Sequence, residues 1–180
     1  MLKIIAIVVG VLIAFVLIYA TTKPDTFQVE RAMRIKAQPE TVFALINDLH
    51  NWDAWSPWAK KDPAMISSHS GATSGMGAVY EWEGNSDVVK GRMEIVDMSP
   101  PSRVNIALDF IEPITTHNTV EFALEYDGDF TEVTWNMHGP MPFAAKLFSV
   151  FASMDSTIGS DFETGLMDLK TLAEKQITGR

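Results

Sequence analysis

The sequence predicts an α+β architecture: a curved antiparallel sheet of about seven strands wrapped around a long C-terminal helix. Two short helices follow the first strand, and an apolar helix of transmembrane character precedes everything. Three observations predict this. Residues 4–20 form an unbroken apolar run; residues 67–137 repeat strand alternation with turn residues between; and from Phe143 the apolar spacing becomes helical. Segregated strands and helices place the apolar face of the sheet on the helix, and a twisted sheet of this many strands curls.

The N-terminal run, Ile4 to Ala20, carries no charge. Its seventeen residues reach roughly 25 Å as a helix, enough for the thin end of a bilayer core with help from its flanks. Thr22-Lys23-Pro24-Asp25 ends it. A cleaved signal segment has a shorter apolar stretch, about 7–15 residues, and small residues at its cleavage site, where Ile18 is bulky. An uncleaved anchor is the favoured reading, with an export signal as the alternative. Lys3 and the amino terminus put the slight positive excess on the N-terminal side, so the domain is expected outside the cytoplasm, as in a periplasm. The absence of cysteine suits an oxidising compartment without requiring one. The expected organisation is an anchor or signal segment at 1–21, a linker at 22–26, one domain at 27–176 and a tail at 177–180.

Phe27, Val29, Met33 and Ile35 share one face of the first strand. Pro39 suits a first helical position, and Val42, Phe43, Leu45 and Ile46 then form the apolar side of a short helix. Asn47 to Trp58 reads as a second short helical piece stopped by Pro57. Strands follow from Ser67 on: Ala78–Glu83, Val88–Met98, Arg103–Ile111, Asn118–Tyr126 and Thr131–Met137. Asp127-Gly128-Asp129 is the clearest hairpin signal. From Phe143 to about Lys175, Leu147, Phe151, Met154, Ile158, Phe162, Leu166, Leu169 and Leu172 keep helical spacing, which predicts one helix of roughly 33 residues and about 50 Å. Gly159 and Gly165 mark a bend in it or a close approach by the sheet.

Charge excludes several partners. The chain has 14 basic and 23 acidic residues; setting aside Lys3, Lys23 and Asp25 leaves 12 and 22 for the domain. So acidic a surface repels phosphate backbones, which argues against nucleic acid. It also disfavours anionic lipid head groups. Four histidines without cysteines give no pair at metal-ligand spacing, so no metal and no cofactor is expected. Neither a glycine-rich phosphate loop nor a Gly-x-Ser-x-Gly elbow occurs.

Several segments carry a family resemblance: Arg34-Ile35-Lys36-Ala37-x-Pro39-Glu40-x-Val42-Phe43, Asn51-Trp52-x-x-Trp55-Ser56-Pro57-Trp58, Gly75-x-Gly77-Ala78-x-Tyr80-x-Trp82 and Gly91-Arg92-Met93-Glu94-Ile95. Asn118-Thr119-Val120, Val133-Thr134-Trp135-x-Met137 and the final helix add to them. With these the chain, from about Phe27 to Glu174, resembles the SRPBCC superfamily of START / Bet v 1-like helix-grip proteins, in its bacterial polyketide cyclase/dehydrase-type branch. The resemblance implies a cavity between sheet and long helix and a hydrophobic ligand of some kind. It does not specify an activity.

The inward faces offer wall residues for such a cavity: Tyr80, Trp82, Met93, Phe110, Phe122, Trp135 and Met137 from strands, and Leu147, Phe151 and Met154 from the helix. For any single one of them ordinary core packing is the favoured reading, and the cavity wall is the alternative. Trp52, Trp55 and Trp58 recur every third position, and Trp55 or Trp58 would close the mouth as an aromatic lid; the alternative is an anchor pinning the short helices to the sheet. Catalytic candidates are weak. Arg31 lies in the inward register of the first strand and Asp155 sits beside the apolar stripe of the helix, a combination that suits either an acid–base pair in the cavity or a structural ion pair. His117, Glu121 and His138 fall on the outer face.

The expected function is a membrane-anchored module that binds a small hydrophobic molecule or lipid, with residues 4–20 in the membrane. One alternative is a cyclase or dehydratase acting through acid–base residues in the cavity. Another is an interaction module with a filled, non-binding core.

Overall fold

Alternation of apolar and polar residues becomes a seven-stranded antiparallel sheet in the computed structural model, which describes residues 1–112, 114–151 and 153–178. The strands are β1 (Thr26–Ile35), β2 (Ile66–Gly71), β3 (Ala78–Glu83), β4 (Lys90–Ser99), β5 (Arg103–Glu112), β6 (Thr116–Tyr126) and β7 (Thr131–Pro140). Their order is β1-β7-β6-β5-β4-β3-β2, so the first strand closes beside the last. Register along β1 and β7 runs from Thr26 opposite Pro140 to Ile35 opposite Thr131. The turn between β6 and β7 forms as its residues dictate: the Asp127 carboxylate accepts the Phe130 N–H at 3.0 Å, and Gly128 takes φ +97°.

Helix α1 (Leu2–Thr21) precedes the sheet, with a length and composition that suit either a membrane anchor or a signal sequence. Helix α2 (Pro39–Asn47) starts on Pro39, whose missing N–H is not needed there. The second helical piece is divided into a 3₁₀ turn (Leu49–Asn51), α3 (Trp52–Trp55) and α4 (Pro57–Lys61). Pro57 therefore begins a helix rather than ending one, for the reason that serves Pro39. Strand β4 likewise begins at Lys90, two residues later than its apolar pattern predicts, because Val88 and Val89 complete the preceding turn: Val89 N–H bonds the Asn85 carbonyl at 2.8 Å.

The predicted 33-residue helix is two helices, α5 (Phe143–Phe148) and α6 (Met154–Thr178). Serines make the division. The Ser149 hydroxyl donates to the Lys146 carbonyl at 2.7 Å, and Ser153 Oγ accepts the Ser156 N–H at 3.0 Å as a helix cap. Apolar spacing runs across this break unchanged because caps leave it untouched.

Helix α6 lies along β1. Phe162, Leu166, Leu169 and Ala173 are fully buried beneath it, one helical stripe on one apolar sheet face. Two polar ties hold its C-terminal half: Lys170 Nζ donates to the Arg34 carbonyl, and the Glu174 carboxylate accepts the Lys36 N–H, both at 2.9 Å. Closed packing fills this half of the domain, where Val104, Leu124, Val133 and Ile35 are buried in one core with the apolar stripe of α6.

Candidate functional site

Packing changes along the strands. On β5, Val104 and Ile106 are fully buried, whereas Leu108 and Phe110 on the same face are only half-buried. On α6, Leu166 and Leu169 are sealed, but Thr157, Ile158 and Asp161 border open space. That space is a cavity of about 260 Å³, partly open to solvent. It is slightly smaller than the roughly 300–1,000 Å³ typical for drug-sized ligands, so it admits a small guest or one end of a longer one.

Seven of the residues singled out from the sequence line it: Trp58, Tyr80, Trp82, Met93, Phe110, Trp135 and Met137. The others do not. Trp55 and Phe122 are fully buried in the closed core, Met154 packs against that core, and Leu147 and Phe151 belong to α5 and the turn after it. The tryptophan triplet thus divides. Trp52 and Trp55 donate their indole N–H groups to the carbonyls of Ile46 (2.9 Å) and Leu45 (3.2 Å), which pins α3 to α2. Trp58, on α4, borders the void, as does Trp52.

Trp135 is the centre of the wall. Its ring packs against Trp55, Trp58, Phe122 and Phe162, with centroids 4.1–5.8 Å apart. Gly165 makes that approach possible: a Cβ there would stand 2.9 Å from Trp135 Cζ3 and 3.1 Å from Pro57 Cδ. Trp135 Nε1 is buried and finds no hydrogen-bond partner among the described residues. A buried donor without a partner is costly, and this one has no surface open to the neighbouring void.

A few polar groups interrupt the apolar lining. Burial pushes the Tyr80 phenol up from its ordinary value, so it stays a neutral hydroxyl at physiological pH. Lys61 and Asp161 form an ion pair at 2.6 Å with both residues on the cavity lining. Sequence reading missed this pair, whose members stand 100 positions apart. The only signal was Asp161 lying one turn beyond Thr157 on the edge of the apolar stripe.

Arg31 and Asp155 do meet, but outside the cavity. Arg31 Nη1 lies 2.8 Å from the Asp155 carboxylate and its Nε lies 2.7 Å from Glu163. Both acids are more than half exposed. The Arg31 guanidinium holds the Asp155 carboxyl below its ordinary value, and the two acids raise Arg31 further. Here too a glycine admits the contact, since a Cβ on Gly159 would overlap the Arg31 guanidinium. His117 and His138 are exposed on the outer face of the sheet.

The fold is shared with solved structures of low sequence identity. A protein from Chromobacterium violaceum superposes with a TM-score of 0.59 at 15% identity, covering 84% of this chain and 99% of that one. The Aha1 dimer from Colwellia psychrerythraea gives 0.57 at 16% identity, over 80% and 93%. The di-domain ARO/CYC StfQ from the steffimycin biosynthetic pathway gives 0.63 at 8% identity, over 85% of this chain and 52% of that one. At such identities the likeness is one of fold. No curated protein matches by sequence. The sequence model of the family "polyketide cyclase / dehydrase and lipid transport" matches residues 26–174, nearly the whole chain beyond α1, and the protein belongs to that family.

Proposed function

We propose that the protein is a membrane-anchored binding module that holds a small hydrophobic molecule, or the apolar end of a lipid, between its sheet and α6. The observation that carries this reading is the partly open cavity of about 260 Å³, walled by Trp58, Trp82, Met93, Phe110, Trp135 and Met137. Burying an apolar guest there gains roughly 25 cal/mol per Å² of surface removed from water. The Tyr80 hydroxyl and the Lys61–Asp161 pair give such a guest a few points of orientation. A void of this size supports the binding reading over a filled, non-binding core.

The Lys61–Asp161 pair and the neutral Tyr80 hydroxyl favour one second reading, acid–base conversion of the bound guest. Native mass spectrometry of the full chain, released from detergent after purification from cells, tests both. The expected result is a non-covalent apolar adduct that is lost in Leu108→Trp, which fills the void. An adduct-free wild type that also takes up nothing from a total lipid extract, or an adduct retained in Leu108→Trp, overturns the binding reading. Turnover of the adduct, stopped by Asp161→Asn, selects the enzyme.

A further inference from the structure

Helix α5 packs against α1, yet it and the turn after it carry apolar side chains that stay exposed among the described residues. Phe143, Phe148 and Phe151 are 48%, 56% and 76% exposed, well beyond what isolated surface aromatics require. From Met141 to Ser153 the sequence holds a single charge, Lys146. That charge is nearly buried and paired with Asp25, so it does not oppose an apolar environment.

What covers this surface follows from its neighbour. Helix α5 packs against α1, where Val16, half-buried, and Ala20, fully buried, lie one turn apart on a single face. The contact therefore involves the last two turns of the apolar helix. With 20 residues α1 reaches about 30 Å, the thickness of a bilayer core. Its final turns then lie where acyl chains meet head groups. Tyr19, with Lys23 Nζ 4.9 Å above its ring, has the aromatic and snorkelling character of that boundary. Anything packed on this turn shares its depth.

We infer that α5 is a second membrane contact, with Phe143, Phe148 and Phe151 lying in the interfacial layer of the bilayer that α1 spans. This rests on the anchor reading of α1. It also orients the cavity. Strand β1 leaves α1 at Thr26, opposite Pro140, where β7 leads into α5. Met137, Val120, Leu108 and Phe110 occupy that same end of the sheet, whereas Val104, Leu124 and Val133 lie away from it. The open end of the domain thus faces the membrane, and the sealed end faces away.

The chain has no cysteine, so single labelling sites are clean. Full-length variants Phe148→Cys, Phe151→Cys, Leu12→Cys and Asp129→Cys, each carrying an environment-sensitive fluorophore, are placed in phosphatidylcholine nanodiscs with and without a doxyl-labelled phosphatidylcholine. Zwitterionic lipid avoids repulsion by the acidic domain. Expected are blue-shifted probes at 148 and 151 that lose most of their emission to the lipid quencher, as the probe at 12 does, with none lost at 129. Quenching at 12 but not at 148 and 151 overturns the proposal and leaves the anchor intact. No quenching at 12 overturns the anchor reading and the proposal with it. A blue shift at 148 without lipid quenching means that protein, a second copy included, covers the patch, and equal quenching at 129 means that the domain has no fixed orientation; either overturns it.

Discussion

The Trp135 ring lies flat on that of Phe162, their centroids 4.1 Å apart and their planes within 9° of parallel. This pair joins β7 to α6 where closed packing gives way to the cavity, and both residues line the void. The wall therefore depends on how closely α6 approaches β7, and Gly165 sets that distance.

Gly165→Ala should destabilise the fold although alanine is the better helix former by about 1 kcal/mol. The new methyl group would press on Trp135 and on the Pro57 ring, neither of which can yield easily. Overpacking typically costs about 1–3 kcal/mol, so a net loss is expected as a lower midpoint of thermal unfolding followed by near-UV circular dichroism. An unchanged or raised midpoint would show that the ring has room to move.

Trp135→Phe keeps most of the packing and removes the donor that has no partner. The donor is sealed from the void, so it serves a guest only if the ring turns on binding; in that case occupancy should fall. A hydrogen bond is worth about 0.5–1.5 kcal/mol, which corresponds to roughly 2- to 10-fold weaker retention. Adduct titration by native mass spectrometry reads this, and undiminished retention would remove Trp135 Nε1 from the binding site.

Acid should loosen the seam between β1 and α6. The folded-state pKa of Asp155 is depressed below its ordinary 3.8, with the Arg31 hydrogen bond as the largest cause. A depressed carboxylate contributes its stability above the unfolded-state pKa and loses it as pH falls through the folded value. The thermal midpoint should accordingly drop as pH is lowered from about 5 through the carboxylate range. Arg31→Met should flatten that dependence in part, and Gly159→Ala, which displaces the same guanidinium, should do so to a similar degree. Asp25 and Asp127 are depressed as well, so some slope remains in both variants.

Val89, beside the mouth of the cavity, has φ +54°, a conformation that β-branched residues rarely adopt. Its backbone is held there by bonds to Asn85 and Gly84, and the carbonyl of Val88 receives the Trp82 indole N–H at 2.9 Å. Val89→Asn should raise stability by about 0.5–1 kcal/mol, because asparagine tolerates the left-handed region that costs other residues about 1–2 kcal/mol. A lower thermal midpoint would show that the Val89 side chain contributes more to the cavity rim than its backbone costs.

The sheet was legible because alternation reports directly which side of a strand is apolar. Val104, Ile106, Leu108 and Phe110 share a face as their spacing predicts. Alternation says nothing about depth along that face, however. Phe122 and Phe110 follow the same pattern, yet one is sealed in the core and the other borders the void. The triplet of tryptophans shows the same limit, since spacing cannot tell that Trp55 finds a carbonyl in α2 while Trp58 does not. The break between α5 and α6 escaped for a different reason. It is made by two serine hydroxyls, and apolar periodicity carries no record of them. The Lys61–Asp161 pair is a tertiary contact, and no local signal announces one.

The gradient from sealed core to open pocket along each strand separates two kinds of residue. Leu166, Leu169 and Ala173 on the far half of α6 act as a keel, and changes there cost the whole domain. Met93, Leu108 and Phe110 already face vacant volume, so swapping them alters the shape of the hollow more than it endangers the hull. A chain arranged this way can reshape its hollow over evolutionary time without rebuilding the vessel.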